Sequence, residues 1–258
     1  MYAENFSLPD YLERIRFKGT PTPDIGTVAS LMRHQLFTVP FENLDVQAGK
    51  IVSLVPEEIV QKIVYRKRGG YCYEVNGLFA MALQALGIPY RFAAARPMIY
   101  PARRPRTHMV LIVMLEGERW LCDLGFGNYG IRAPMRLSMT DVEVRQDDDI
   151  YMLSPIDDGF YLLQAKIEGQ WANQYAFDLS YQEWIDFVPA NHLNSTHPDS
   201  IFVQKTIAML MTETGRKILA GDSFKIVEHG RTEKRTIAWE ETVGILAHEF
   251  GLTMPPRA

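Results

Sequence analysis

One stretch constrains this chain more than any other: Arg68-Gly69-Gly70-Tyr71-Cys72-Tyr73-Glu74-Val75-Asn76-Gly77-Leu78-Phe79. Two successive glycines permit a close backbone approach that side chains would block. A helical pattern starts directly after them. Val75, Leu78, Phe79, Ala82 and Leu86 recur at helical spacing and form an apolar face. Gly87-Ile88-Pro89 then stops the helix. Cys72 therefore falls in the first turn of that helix, where free N–H groups and the macrodipole favour negative charge. The position predicts a thiol with a lowered pKa. A lone cysteine is most often a small buried hydrophobe. The Gly-Gly turn, the helix start and the polar neighbours Glu74 and Asn76 lift Cys72 above that reading.

The chain has 258 residues, enough for a substantial core in one large domain or a few small ones. Its formal net charge is -4 and it has no long basic block, which argues against nucleic acid or an anionic membrane as the main partner. The longest apolar run, residues 109–115, is strand-sized rather than membrane-sized. The first residues have no basic segment followed by an apolar one, so no signal peptide is expected. Two cysteines, Cys72 and Cys122, are too few for a disulfide scaffold and suit a reducing cytoplasm.

Residues 1–87 read as mainly helical. One helix opens near Leu8, and Thr20-Pro21-Thr22-Pro23 breaks it. Asp24 is the expected N-cap of a second helix bearing Val28, Leu31, Met32 and Leu36. Residues 38–44 read as a connector, and residues 56–64 as a third helix with Pro56 in its first turn. From Tyr90 the pattern becomes strand-like: residues 90–95, 107–115, 119–124, 149–153, 161–167 and 175–179. Turn chemistry such as Glu116-Gly117 separates some of these runs. Consecutive strands at this spacing predict an antiparallel sheet or small barrel rather than βαβ units. Residues 97–106 form a loop rich in proline and in arginine, with Arg103, Arg104 and Arg106. Further on, residues 182–187 read as a short helical piece, 191–200 as polar loop and 201–211 as strand-like. A hairpin is expected around Gly230, with strands at 224–227 and 236–238, and a closing helix over 242–250.

A nucleophilic cysteine needs a base, and the base needs an orienter. Of the six histidines, His108 alone starts an otherwise apolar strand. If Glu116-Gly117 is a two-residue loop, Leu115 faces Glu118, Val110 faces Asp123 and His108 faces Gly125. His108 and Val110 share a face. Asp123 is then a diagonal neighbour of His108, about 7–8 Å away at the backbone and within side-chain reach. A carboxylate between Cys122 and Leu124 in an apolar strand is costly unless paired. Gly125-Phe126-Gly127 leaves the strand as a turn beside this site. Cys122 reads as core. Chemistry alone leaves the acyl acceptor open, water or an amine. It also leaves a weak metal or scaffold alternative built on Cys72, His108 and Cys122, although no Cys-x-x-Cys pair is present.

The segment 68–77 resembles the signature of the arylamine N-acetyltransferases. Thr107-His108 with its apolar strand, and Asp123-Leu124-Gly125-Phe126-Gly127, resemble that family's other two catalytic segments in the same order. Val39-Pro40-Phe41-Glu42-Asn43-Leu44 and residues 194–202 resemble two further blocks. The resemblance implies an α+β, three-part fold with a cysteine-protease-like core. Its expected parts are an N-terminal helical bundle (1–87), a central antiparallel β-barrel (88–190) and a C-terminal α/β lid (191–258). It implies a Cys72, His108 and Asp123 triad, and an acceptor site at Phe126 and Gly127. An ion pair of Arg68 with Glu42 would support the Cys72 loop. It also implies acetyl-CoA as co-substrate with no metal, and arylamines or arylhydrazines as acceptors through an acetyl-Cys intermediate. Xenobiotic metabolism and a monomer or weak homo-oligomer complete the expectation. An amide synthase acting on a tethered acyl chain is a close chemical relative. The dense arginines of the 97–106 loop either meet CoA phosphates or form a solvated basic loop.

Overall fold

The computed structural model describes residues 1–256. Helix α1 (Leu8–Arg14) is capped by Ser7, and α2 (Ile25–Thr38) by Asp24, whose carboxylate accepts the Thr27 N–H. A two-residue strand β1 (Phe41–Glu42) and a single turn α3 (Leu44–Gln47) follow. Helix α4 (Pro56–Val60) runs on as a π-helical turn, Gln61–Tyr65, where one unbroken helix was expected. Then comes α5 (Cys72–Ala85). Every residue of α5 from Cys72 to Leu83 is buried. The apolar face seen in the sequence is one side of a helix that is enclosed all round.

The second part is a run of antiparallel strands: β2 (Tyr90–Pro97), β3 (His108–Leu115), β4 (Glu118–Cys122), β5 (Met135–Arg136), β6 (Val144–Gln146), β7 (Asp149–Ile156), β8 (Phe160–Ile167) and β9 (Gln170–Phe177). Their order is β5-β4-β3-β2-β9-β8-β7-β6. The sheet curls into a half-barrel and does not close by a ladder; β5 and β6 are its edges. The Gln146 side chain spans that gap, accepting the Arg132 and Ala133 N–H groups at 2.6 and 3.1 Å. The β3–β4 turn is the expected two-residue loop. Glu116 and Gly117 both have positive φ, 56° and 76°, and Leu115 pairs with Glu118.

The last part differs most from the sequence reading. Of residues 191–200, expected as polar loop, 191–196 belong to helix α6 (Val188–Thr196). The buried residues of α6 are Asn191, Asn194 and Ser195, so no apolar stripe announces it. Polar side-chain bonds to distant backbone hold it instead. Asn191 donates to the Val52 carbonyl and Asn194 to the Thr107 carbonyl. The run 201–211, expected as one strand, divides into α7 (Ile201–Gln204), capped by Ser200, and β10 (Ile207–Thr212). Strand β11 (Gly215–Ala220), unmarked in the sequence, pairs with β10 and with β12 (Ser223–Glu228). Strand β13 (Arg231–Thr236) completes the hairpin, ending where the expected strand 236–238 was to begin, and α8 (Trp239–Phe250) ends at Gly251 in the left-handed region, φ 65°. The second sheet runs β1-β10-β11-β12-β13, so its edge strand comes from the N-terminal part.

Backbone seats on backbone where β1 meets the Gly-Gly turn. Gly70 N–H donates to the Pro40 carbonyl at 3.2 Å, and Glu42 N–H to the Gly70 carbonyl at 3.0 Å. A Cβ at Gly69 would fall on the Pro40 carbonyl oxygen, whereas a Cβ at Gly244 of α8 would meet open space. Gly69→Ala should therefore cost about 1–3 kcal/mol or more through overpacking. Gly244→Ala should stabilise by up to about 1 kcal/mol through helix propensity. Urea unfolding of the two variants beside wild type measures both, and equal effects would show that the seat at Gly69 is not tight.

Candidate active site

The three residues singled out in the sequence come together around one cavity of about 280 Å³. Cys72, at the first position of α5, and His108, at the first position of β3, both line it. His108 Nε2 bonds Asp123 Oδ2 at 2.8 Å, with His108 4% and Asp123 1% exposed. The carboxylate is clamped on its other oxygen. Oδ1 accepts the Gly125 N–H at 2.8 Å and the Asn76 amide at 3.1 Å. Asn76 also donates to the Met109 carbonyl and accepts the Leu124 N–H, each at 2.8 Å. One amide on α5 thus fixes β3, the end of β4 and the orienting carboxylate together. The approach is close: a Cβ at Gly125 would lie 2.5 Å from Cys72 Cα.

The Thr107 carbonyl gathers three donors beside the site. They are the Cys72 thiol at 3.9 Å, the Tyr73 hydroxyl at 2.9 Å and the Asn194 amide at 2.9 Å. The Phe126 ring lies 5.2 Å from the His108 ring and lines the cavity with Phe41, Tyr100 and Phe202. Gly127, expected in the acceptor site with Phe126, sits behind it. Its φ is +83° and a Cβ there would meet Met209 Sδ at 2.8 Å. Tyr175 of β9 escaped the sequence reading. Its ring packs 5.1 Å from His108 and 4.9 Å from Phe126. Only the register of β9 against β2 and β8 brings it there. His197 and Asn194, read as parts of a polar loop, also line the cavity.

The arginines of the 97–106 loop have separate fates. Arg106 forms a two-pronged pair with Asp178, at 2.9 and 3.2 Å, and lies over the Phe160 ring. Arg104 stacks on Tyr100 and lines the cavity, and Arg103 is exposed.

The profile of a family described as N-acetyltransferase matches residues 24–258. The arylamine N-acetyltransferase of Escherichia coli (strain K12) is 33% identical over 250 residues, covering 95% of this chain and 88% of that enzyme. The chain belongs to the arylamine N-acetyltransferase family. The solved structure of the Mycobacterium tuberculosis enzyme superposes with a TM-score of 0.91 at 34% identity, covering 95% of this chain and 93% of that one. The Mycobacterium marinum enzyme, solved in complex with CoA, gives 0.89 at 32% identity over 95% and 92%.

The electrostatics of this family member depart from the simple helix-dipole expectation. Burial, reinforced by the Asp123 carboxylate, pushes the Cys72 thiol up rather than down; the Met109 and Tyr73 N–H groups oppose this only in part. Burial also penalises the Asp123 carboxylate, but His108, Gly125 and Asn76 outweigh it and hold Asp123 below the usual carboxylate range. Beneath the Gly-Gly turn lies a second charged group. Arg68 pairs with Glu42 at 2.7 Å and with Asp45 at 2.9 Å; Lys62 reaches Asp45 at 2.6 Å and Glu74 at 2.7 Å. The expected Arg68–Glu42 pair is thus part of a cluster with three carboxylates and two cations. Glu74 Oε2 also accepts the Tyr71 N–H at the start of α5. Burial, with Glu42 adding to it, outweighs Lys62 and pushes the Glu74 carboxyl up to about 7.

A raised carboxyl binds its proton more tightly when folded than when unfolded. Its contribution to stability is therefore present at low pH and lost as pH rises from the unfolded value, about 4.3, toward the folded one. Wild type should lose stability across that window, and Glu74→Gln should lack this slope. Urea midpoints at several pH values measure it, and parallel pH profiles for the two proteins would remove the excess proton from Glu74.

Proposed function

We propose that this protein transfers an acetyl group from acetyl-CoA to the nitrogen of arylamines or arylhydrazines, by a ping-pong route through acetyl-Cys72. The observation that carries this reading is the shared cavity of Cys72, His108 and Phe126, with Asp123 on His108 Nε2. Membership of the arylamine N-acetyltransferase family and the CoA complex of a relative support the donor and acceptor classes.

A lone thiolate is disfavoured in so buried a site, so ionisation is coupled to His108. Because Nε2 is engaged by Asp123, Nδ1 takes the thiol proton, and the charge is held as a thiolate–imidazolium pair. The thiolate attacks the thioester carbonyl carbon. The developing oxyanion is stabilised by backbone N–H groups at the start of α5. The bond to the CoA sulfur breaks, and His108 returns its proton to that sulfur. The amine then attacks acetyl-Cys72 from beside Phe126. His108 accepts the amine proton, and Cys72 leaves as thiolate. Asp123 fixes the ring tautomer and stabilises its charge in both halves. Aromatic amines suit this step because they are largely neutral, and so nucleophilic, near neutral pH. Both cysteines are free thiols, in keeping with action in a reducing compartment such as the cytoplasm. The division 1–87, 88–190 and 191–258 assigns the nucleophile to the first part and His108 with Asp123 to the second.

Release of free CoA from acetyl-CoA tests the reading. A stoichiometric burst without amine, sustained turnover with an anisidine, and silence in Cys72→Ala are expected. Asp123→Asn should slow the burst by about 10²–10⁴-fold, the range for a general-base contribution. Turnover indifferent to the amine would make the protein a thioester hydrolase instead.

A further inference from the structure

A chain of buried and half-buried charges runs behind the cavity and serves neither the nucleophile nor the base. Arg33 of α2 pairs with Asp147 at 2.6 Å, and Asp147 lies 3.5 Å from Arg132. Arg132 donates through Nε to Asp149 Oδ2 at 2.9 Å, and through its other nitrogens to the Thr212 and Gly215 carbonyls at 2.8 and 2.7 Å. Arg216 of β11 donates to the other oxygen of Asp149 and to the Asn128 carbonyl, and its guanidinium lies 4.4 Å over the Tyr129 ring. Arg132 and Arg216 are 2% and 4% exposed and share the one buried carboxylate. Stability is a poor reason for such a cluster, because well-packed apolar residues commonly do as well. Its geometric effect is specific. It ties the second sheet and the half-barrel to the loop 125–131.

That loop carries Phe126 at the cavity wall. Its far side is held mainly by the second sheet: Asn128 N–H meets Met209 Sδ at 3.0 Å, Gly127 packs on the same thioether, and Arg216 takes Asn128 and Tyr129, while the Tyr151 hydroxyl of β7 donates to the Gly130 carbonyl at 2.7 Å. Its near side is fixed at Gly125 by Asp123. We infer that Arg216 is a positioning residue for the acceptor step, setting Phe126 through Asn128 and Tyr129, so that the C-terminal sheet shapes the acceptor wall without touching the reacting atoms. This rests on the reading above, in which Cys72 is acetylated first and the amine enters beside Phe126. Attack on Cys72 by the donor depends on the part of the site clamped by Asn76 and Asp123, which Arg216 does not contact.

The two half-reactions separate the possibilities. In Arg216→Met the rate and amplitude of the CoA burst should stay within about twofold of wild type. At the same time kcat/KM for an anisidine falls by about 10- to 100-fold, mainly through KM, the scale set by small misplacements of positioning groups. Arg216→Lys keeps a charge for Asp149 but lacks the planar fork that reaches Asn128 as well. It should fold and show the same split. Tyr129→Leu, which leaves every ion pair in place, should shift in the same direction. A fall of both half-reactions by one factor, or no change in either, in Arg216→Lys and Tyr129→Leu would reduce Arg216 to a scaffold residue. A wild type without a CoA burst would overturn the proposed acetyl transfer itself, before any variant is compared.

Discussion

The structure depends on the seating of Gly69-Gly70 against residues 40–42. Two backbones touch there, joined by the Gly70–Pro40 and Glu42–Gly70 hydrogen bonds. The contact fixes the N-terminus of α5, and hence Cys72. It also fixes β1, which is the edge of the second sheet, so the same few atoms position the nucleophile and a wall of the C-terminal part. A contact without side chains leaves the flanking polar groups to be paired by others. The cluster of Glu42, Asp45, Lys62, Arg68 and Glu74 does this from below. Breaking such a buried pair costs about 3–5 kcal/mol, although building it brings little net stability. The cluster is better understood as fixing the register of α5, β1 and the turn between them than as a source of stability.

The site then follows from two independent constraints that meet at Asn76. The helix supplies Cys72 and, one turn on, an amide that engages β3 and the end of β4. The hairpin supplies His108 at the head of β3 and Asp123 just past the end of β4, in the register that its two-residue turn sets. Neither element could correct an error in the other, since Gly125 backs directly on the Cys72 backbone. That closeness explains why burial dominates the thiol. A helix N-terminus offers partial positive charge, but in so enclosed a site the desolvation of a lone thiolate outweighs it. Charge separation is tolerable only when it is local, from sulfur to the adjacent imidazole.

How much of this was legible in the sequence follows from the range of each signal. The helix of Cys72, the N-cap at Asp24, the His108–Asp123 register and the end of α8 at Gly251 were legible, because local spacing and turn chemistry encode them. Helix α6 was not, because the side chains that hold it are polar and find their partners at Val52, Tyr71 and Thr107, far away in the chain. Tyr175 was not, because nothing near it in sequence says that its strand turns that ring toward His108. The antiparallel sheet or small barrel expected from strand spacing is a curled half-barrel. The edge strands β5 and β6 are too short for a periodic pattern, and a glutamine side chain rather than a ladder bridges them. Gly127, which the family resemblance places in the acceptor site with Phe126, packs against the Met209 thioether.

The two charged clusters differ in a way that bears on function. Below Cys72, three carboxylates face two cations, and burial with the Glu42 charge raises the Glu74 carboxyl to about 7. Behind Phe126, Arg132 and Arg216 face the single buried carboxylate Asp149, and the excess positive charge is met by the Thr212, Gly215 and Asn128 carbonyls and the Tyr129 ring. A proton can leave the first cluster within the physiological pH range, whereas guanidinium groups do not deprotonate. The seat of the nucleophile can therefore change charge near neutral pH, while the two guanidiniums that anchor the Phe126 loop keep theirs. A pH effect that enters through Glu74 should act on the Cys72 end of the cavity, because Glu74 bonds the Tyr71 N–H at the start of α5.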